Sequence, residues 1–148
     1  MIQSVYIISR SGLPIVAVGK DEKTQEFTEV ALFSGIVSAI QTAMQEIDVG
    51  VPKFVDTKKF EIYIEIEEEF AVALVRESKE VEDRDLMHEI TAEILNKLNE
   101  KYDDLSDYNM LSESQIDDIR AIISRLIQKG EKELSKRKAT KIASNSFW

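Results

Sequence analysis

The sequence predicts an α+β domain built on a five-stranded, largely antiparallel sheet. Three observations carry that prediction. Five short segments rich in β-branched and aromatic residues are joined by hairpin-length turns. Three longer segments switch to the three- and four-residue apolar spacing of helices. A 148-residue chain that is 43% apolar is long enough to bury about 70% of its unfolded surface around one core. The element order is β-β-α-β-β-β-α-α, with one helix expected on one face of the sheet and two on the other.

Ile2 to Ser9 opens the chain as a strand, and the Ser11-Gly12 turn signal leads into its hairpin partner, Leu13 to Val18. Pro14 cannot donate to a ladder, so that partner lies at an edge or begins at the proline. From about Glu26 to Ile47 the apolar residues Val30, Phe33, Ile36, Val37, Ile40, Met44 and Ile47 form one helical stripe. Gly35 inside it reads either as a point of close packing or as an indifferent surface position.

Three strands follow: Val51 to Asp56, Phe60 to Glu67 and Phe70 to Arg76. The middle one alternates, placing Phe60, Ile62, Ile64 and Ile66 toward a core and Glu61, Tyr63, Glu65 and Glu67 toward water. The last has no polar alternation from Phe70 to Val75 and is expected at the centre, covered on both faces. A helix from Asp83 to about Leu105 carries Met87, Ile90, Ile94, Leu98 and Tyr102 on one stripe. The next begins at a capping box, Ser112-Glu113-Ser114-Gln115, with Leu111 and Ile116 placed as a hydrophobic staple. Its apolar pattern is expected to fade from Gly130 onward, with residues 129–148 a basic, frayed extension of a domain spanning residues 1–128.

Composition excludes much chemistry. There is no cysteine and a single histidine, His88, so thiolate nucleophiles, thiolate metal sites and disulfides are ruled out by inventory. No apolar run reaches membrane-spanning length, and residues 1–9 lack the basic region of a signal peptide; a cytoplasmic protein is expected. The net charge is −9, and the six Lys/Arg against two Glu in residues 129–148 leave the preceding body at −13. Such a body repels nucleic acid.

Candidate chemical sites are weak. Gly12 to Lys20 has six residues between its glycines and Asp21 after the lysine, so it lacks the spacing of a phosphate-binding loop. Glu65, Glu67, Glu68 and Glu69 read as the solvated rim of a turn. Asp103, Asp104 and Asp107 lack calcium-loop spacing. His88 reads as a surface residue beside core Met87, with no nucleophile to serve. No cofactor, metal or catalytic residue is expected.

The segment Val51 to Asp56 is expected at a sheet edge, where unpaired backbone groups can accept a partner strand; Val51, Lys53, Phe54, Val55 and Tyr63 are the candidate contact residues. The alternative is cover by the first helix, with Lys53, Lys58 and Lys59 protecting the edge. The basic tail ending in Phe147-Trp148 reads as a solvated terminus or as a contact with an anionic membrane.

Three pieces of local sequence add a resemblance: Val5-Tyr6-Ile7-Ile8-Ser9, then Ser11-Gly12-Leu13-Pro14-Ile15, then Leu32-Phe33-Ser34-Gly35 with Ala39-Ile40. With the meander and the terminal helices, they resemble the longin and roadblock superfamily, in its longin order, over residues 1–128. The chain is similar to small stand-alone members found in archaea. The resemblance implies a longin/profilin-like sheet and a non-enzymatic role as an adaptor or regulator of a Ras-like small GTPase. Its implied partner is that GTPase or another longin- or roadblock-type chain, in a homo- or heterodimer. The contact would use the outward side of the first helix, including Phe33, and the edge strand. A subunit of a trafficking-type assembly with a membrane-touching tail is the alternative; a small-molecule sensor and a profilin-like actin binder are weaker ones.

Overall fold

The computed structural model describes residues 2–9, 12–19, 27–46, 53–67, 69–77, 83–102, 105 and 111–146. It contains β1 (Ile2–Ser9), β2 (Pro14–Gly19), α1 (Phe27–Glu46), β3 (Phe54–Asp56), β4 (Phe60–Ile66), β5 (Phe70–Glu77), α2 (Arg84–Lys101) and α3 (Glu113–Ser146). The strands form one sheet in the order β2-β1-β5-β4-β3. Every pairing is antiparallel. β2 starts at Pro14 and lies at an edge, so both of the proline's permitted placements are realised together. Gly12 holds φ at 89°, a left-handed conformation that lets its N–H close the first hairpin on the Ser9 carbonyl at 2.9 Å.

The two sheet faces have separate cores. On one side Ile8, Val37, Ile64 and Ala73 are buried together, with Tyr6, Phe33, Val55 and Ile62 packed around them. This is the α1 side, where Phe33 stacks on Tyr6 with ring centroids 4.3 Å apart. The side chains of Val30, Ile36 and Met44, and residues Ile47 and Val51, lie outside those described. Gly35 is exposed, and a Cβ there would meet nothing within 4 Å, so it is a surface position.

On the other side β5 supplies Phe70, Val72 and Leu74, all buried, with α2 packed against β4 and β5 and α3 against β1 and β2. α2 contributes Leu86, Met87, Ile90, Ile94, Leu95 and Leu98, and α3 adds Ile119, Ile122, Ile123 and Leu134. The helices run antiparallel, as ion pairs joining Lys101 to Asp118, Glu93 to Lys129 and Asp83 to Arg137 require. At the α3 start the capping box is reciprocal: Gln115 N–H donates to Ser112 Oγ at 3.2 Å, and Ser112 N–H to Gln115 Oε1 at 2.8 Å.

Two expectations are corrected. The Glu61–Tyr63 side of β4 is not wet. Glu61 and Tyr63 are both 0% exposed beneath α2, whereas Phe60 and Ile66 on the opposite side are each 38% exposed. α2 makes the difference, because it brings apolar cover for Tyr63 and a cation for Glu61. α3 also does not fade from Gly130 but stays helical to Ser146. Gly130 lies against Ile90, whose Cγ1 would sit 2.9 Å from an added Cβ, and Leu134 is buried in the core. Past Arg137 the helix continues beyond the start of α2 by roughly 13 Å, at 1.5 Å per residue.

Candidate functional site, the β3 edge and its buried support

β3 is short and pairs only with β4 among the described residues, through Phe54↔Tyr63, Val55↔Ile62 and Asp56↔Glu61. Ile64 N–H donates to the Lys53 carbonyl and Thr57 N–H to the Phe60 carbonyl, each at 2.8 Å. Antiparallel ladders alternate, so the bonded pairs are 53/64, 55/62 and 57/60. The N–H and C=O groups of Phe54 and Asp56 therefore point away from β4, toward the open edge.

The side chains of β3 anchor it to both layers. Val55 joins the α1-side core, and Phe54 packs against the α2 side, 5.1 Å from the Tyr63 ring and 6.3 Å from His88. Lys53 is exposed. Phe33 is half-buried within the α1 interface. Tyr63, expected on a solvent face, has no exposed surface and sits edge-on to His88 at 4.8 Å. His88 is thus half-buried in an aromatic cluster rather than a surface residue.

Behind this edge lies a charged group that the alternation of β4 disguised. Arg76 Nε donates to Glu61 Oε1 at 3.0 Å with both side chains wholly buried, and Arg84 Nε donates to Glu61 Oε2 at 2.9 Å from a 43%-exposed position. One carboxylate thus ties β4 to β5 and to the first turn of α2. The Arg84 guanidinium lies 5.2 Å from the centroid of Phe54, and that of Arg76 lies 5.6 Å from that of Tyr63. Burial pushes the Tyr63 phenol up, against the opposing pull of Arg76. Arg76 Nη1 and Nη2 and the Tyr63 hydroxyl are buried without hydrogen-bond partners among the described residues. A sequence signal existed: Arg76 follows six consecutive apolar residues on a central strand, a position that demands a buried anion.

The group has the chemistry of a brace. It holds β3 and the start of α2 in register, and its carboxylate is engaged by two arginines. Among the described residues, no three acidic or histidine side chains are placed to share a metal ion. None of the helices among those residues is long and apolar enough to cross a membrane.

No protein-family model matches the chain. No curated protein matches it in sequence. Solved structures do match in three dimensions. Myxococcus xanthus MglB is 16% identical over 68% of this chain and 85% of its own, with a TM-score of 0.52. A Roadblock/LC7 domain from Streptomyces avermitilis is 14% identical over 68% and 84%, with a TM-score of 0.53. A chain in a homology model of the full-length AP-3 complex, in a stretched open conformation, is 12% identical over 92% and 99%, with a TM-score of 0.57. Sequence identity this low speaks to architecture alone. Five antiparallel strands in the order β2-β1-β5-β4-β3, with α1 on one face and α2 and α3 on the other, together with these likenesses, establish that the chain has the longin/roadblock-like fold.

Proposed function

We propose that this chain is a non-catalytic interaction domain that acts as an adaptor or regulator of a Ras-like small GTPase and receives its partner along the β3 edge and the outward side of α1. The observation that carries the reading is the outward row of backbone groups at Phe54 and Asp56, held in place by side chains locked into two cores. A partner strand adding there gains main-chain hydrogen bonds without any rearrangement of β4. The likeness in fold to MglB and to a Roadblock/LC7 domain supports the reading.

The test is capture. Immobilised full-length protein is exposed to host lysate loaded with GDP or with a non-hydrolysable GTP analogue, and retained proteins are identified by mass spectrometry. Enrichment of a Ras-like GTPase in one nucleotide state is the expected result. Asp56→Pro removes an outward N–H that β4 does not use, so it is expected to abolish capture while leaving the urea midpoint nearly unchanged. Capture by Asp56→Pro at the native level would reject the edge.

A trafficking-type assembly subunit is a second reading, favoured by a different observation. The likeness to the AP-3 chain spans 92% of this chain, too much to leave out α3. The described side chains from Ser135 to Thr140 on α3, including Lys136, Arg137 and Lys138, are all exposed. Lys136→Glu with Lys138→Glu is then expected to release the protein from anionic vesicles in a flotation assay. Removing all of residues 129–148 is the wrong test, because it also strips Leu134 from the core.

A further inference from the structure

On the face of the α2–α3 pair lies an open groove of about 700 Å³, lined by Lys97, Glu100 and Lys101 from α2 and by Ile122, Arg125, Leu126 and Lys129 from α3. In a chain of net charge −9, this lining carries four cations and one anion. We infer that the groove is a docking site for an acidic amphipathic segment of a partner protein, apart from the β3 edge and served by different residues.

The arrangement of the lining selects that occupant. Lys97 and Lys101 are one helical turn apart on α2, and Arg125 and Lys129 are one turn apart on α3, so each pair forms a row with its members about 6 Å apart. Between the rows, Ile122 and Leu126 supply an apolar floor. Two parallel cationic rims around an apolar strip complement a linear ligand that carries carboxylates on either side of an apolar face. Lys101 is already paired with Asp118 at 2.7 Å, and Lys129 with Glu93 at 3.1 Å. Lys97 and Arg125 are exposed and have no carboxylate at ion-pair distance among the described residues; Arg125 feels Asp118 at longer range, and both charges can still meet a ligand. A flat bilayer does not reach the floor of a cleft between two helices. A nucleic-acid duplex presents phosphates but no apolar strip to set against Ile122 and Leu126.

The inference goes beyond the GTPase reading and does not depend on it. The probe is a fluorescein-labelled helical peptide of about 18 residues, with leucines on one face and glutamates flanking them. Fluorescence anisotropy is expected to show 1:1 saturation with a Kd on the order of 10 μM at about 50 mM salt, weakening several-fold at about 300 mM. Lys97→Glu with Arg125→Glu, two exposed changes whose folding is checked by circular dichroism, is expected to raise Kd by at least about tenfold. The same peptide with lysine in place of glutamate is expected not to bind. Equal affinity for both peptides, or an unchanged Kd in the double variant, would overturn the inference. So would phosphatidylserine vesicles binding in place of the peptide with the same sensitivity to the double variant, or self-association through the groove seen by sedimentation equilibrium. GTPase capture by the double variant is expected to equal that of the native chain, which separates failure here from failure at the β3 edge.

Discussion

Taking the charge from Glu61 leaves a wholly buried guanidinium without its counter-ion. Glu61→Gln keeps the volume and removes only the charge; Arg76 then has its Nε bond weakened while Nη1 and Nη2 already lack partners among the described residues. Removing one member of a buried pair costs about 3–5 kcal/mol, a large part of the roughly 5–15 kcal/mol that stabilises a domain. Arg84 adds little, because at 43% exposure it can turn back to water. We expect Glu61→Gln to lose about 3 kcal/mol, which at a urea m-value of about 2 kcal/mol/M lowers the midpoint by about 1.5 M. Glu61→Leu with Arg76→Met removes both charges and both desolvation penalties, and it is expected to recover native stability or exceed it by about 1–4 kcal/mol. The assay is equilibrium urea unfolding of the native chain, Glu61→Gln, Glu61→Leu, Arg76→Met and the Glu61→Leu/Arg76→Met double variant, the last three closing a double-mutant cycle with the native chain. A Glu61→Gln cost below about 1 kcal/mol, or a double variant no more stable than Glu61→Gln, would refute this account of the brace.

The two helical glycines are expected to respond in opposite directions in the same unfolding assay. Gly35→Ala has open space and gains about 0.4–1 kcal/mol, whereas Gly130→Ala drives a methyl into Ile90 and loses about 1–3 kcal/mol. Asp118 is held below the usual carboxylate range by hydrogen bonds from Lys101 and then Tyr102, and Tyr102 is itself pushed up to about 12, chiefly by burial. A carboxylate lowered in the folded state contributes stability above its unfolded value of about 3.9, and this is lost as pH falls through the lower folded value. The midpoint difference between the native chain and Asp118→Asn is therefore expected to hold from pH 7 to about pH 4 and to close below it.

Most of the fold was legible because its elements bury apolar residues with the period of their own geometry. Pro14 marked an edge strand, the run from Phe70 to Val75 marked the central one, and Ser112 with Gln115 marked the start of α3. What misled was charge. Glu61 has the same place in the β4 alternation as a solvated residue, and only its cross-strand partner Arg76, paired in register with it, shows that the position is internal. Tyr63 and His88 follow from the same misreading, since each is covered by an element remote in sequence. The end of α3 was obscured differently: Gly130 and the basic residues around it look like a terminus, yet Leu134 continues the buried stripe, four residues on. The groove between α2 and α3 was out of reach, because its rims come from two helices whose relative rotation no local pattern encodes.

The central seam of the sheet joins β1 to β5, with Ile2 opposite Arg76 and Ser9 opposite Phe70. Every other strand pair is a hairpin of neighbours, so the molecule is two locally formed pieces, a two-stranded ribbon and a three-stranded meander, closed by one long-range zipper. Closing it carries most of the loop entropy and is where the folding barrier is expected to lie. During synthesis the first ribbon waits for the chain to reach Glu77, roughly 3 to 12 s at about 5–20 residues per second. Throughout that interval Val5, Ile7, Val16 and Val18 have no sheet or helix to cover them. Reaching Glu77 closes the seam, but this face stays bare until α3 packs on β1 and β2, so the nascent chain is exposed to aggregation from Gly19 until α3 is made.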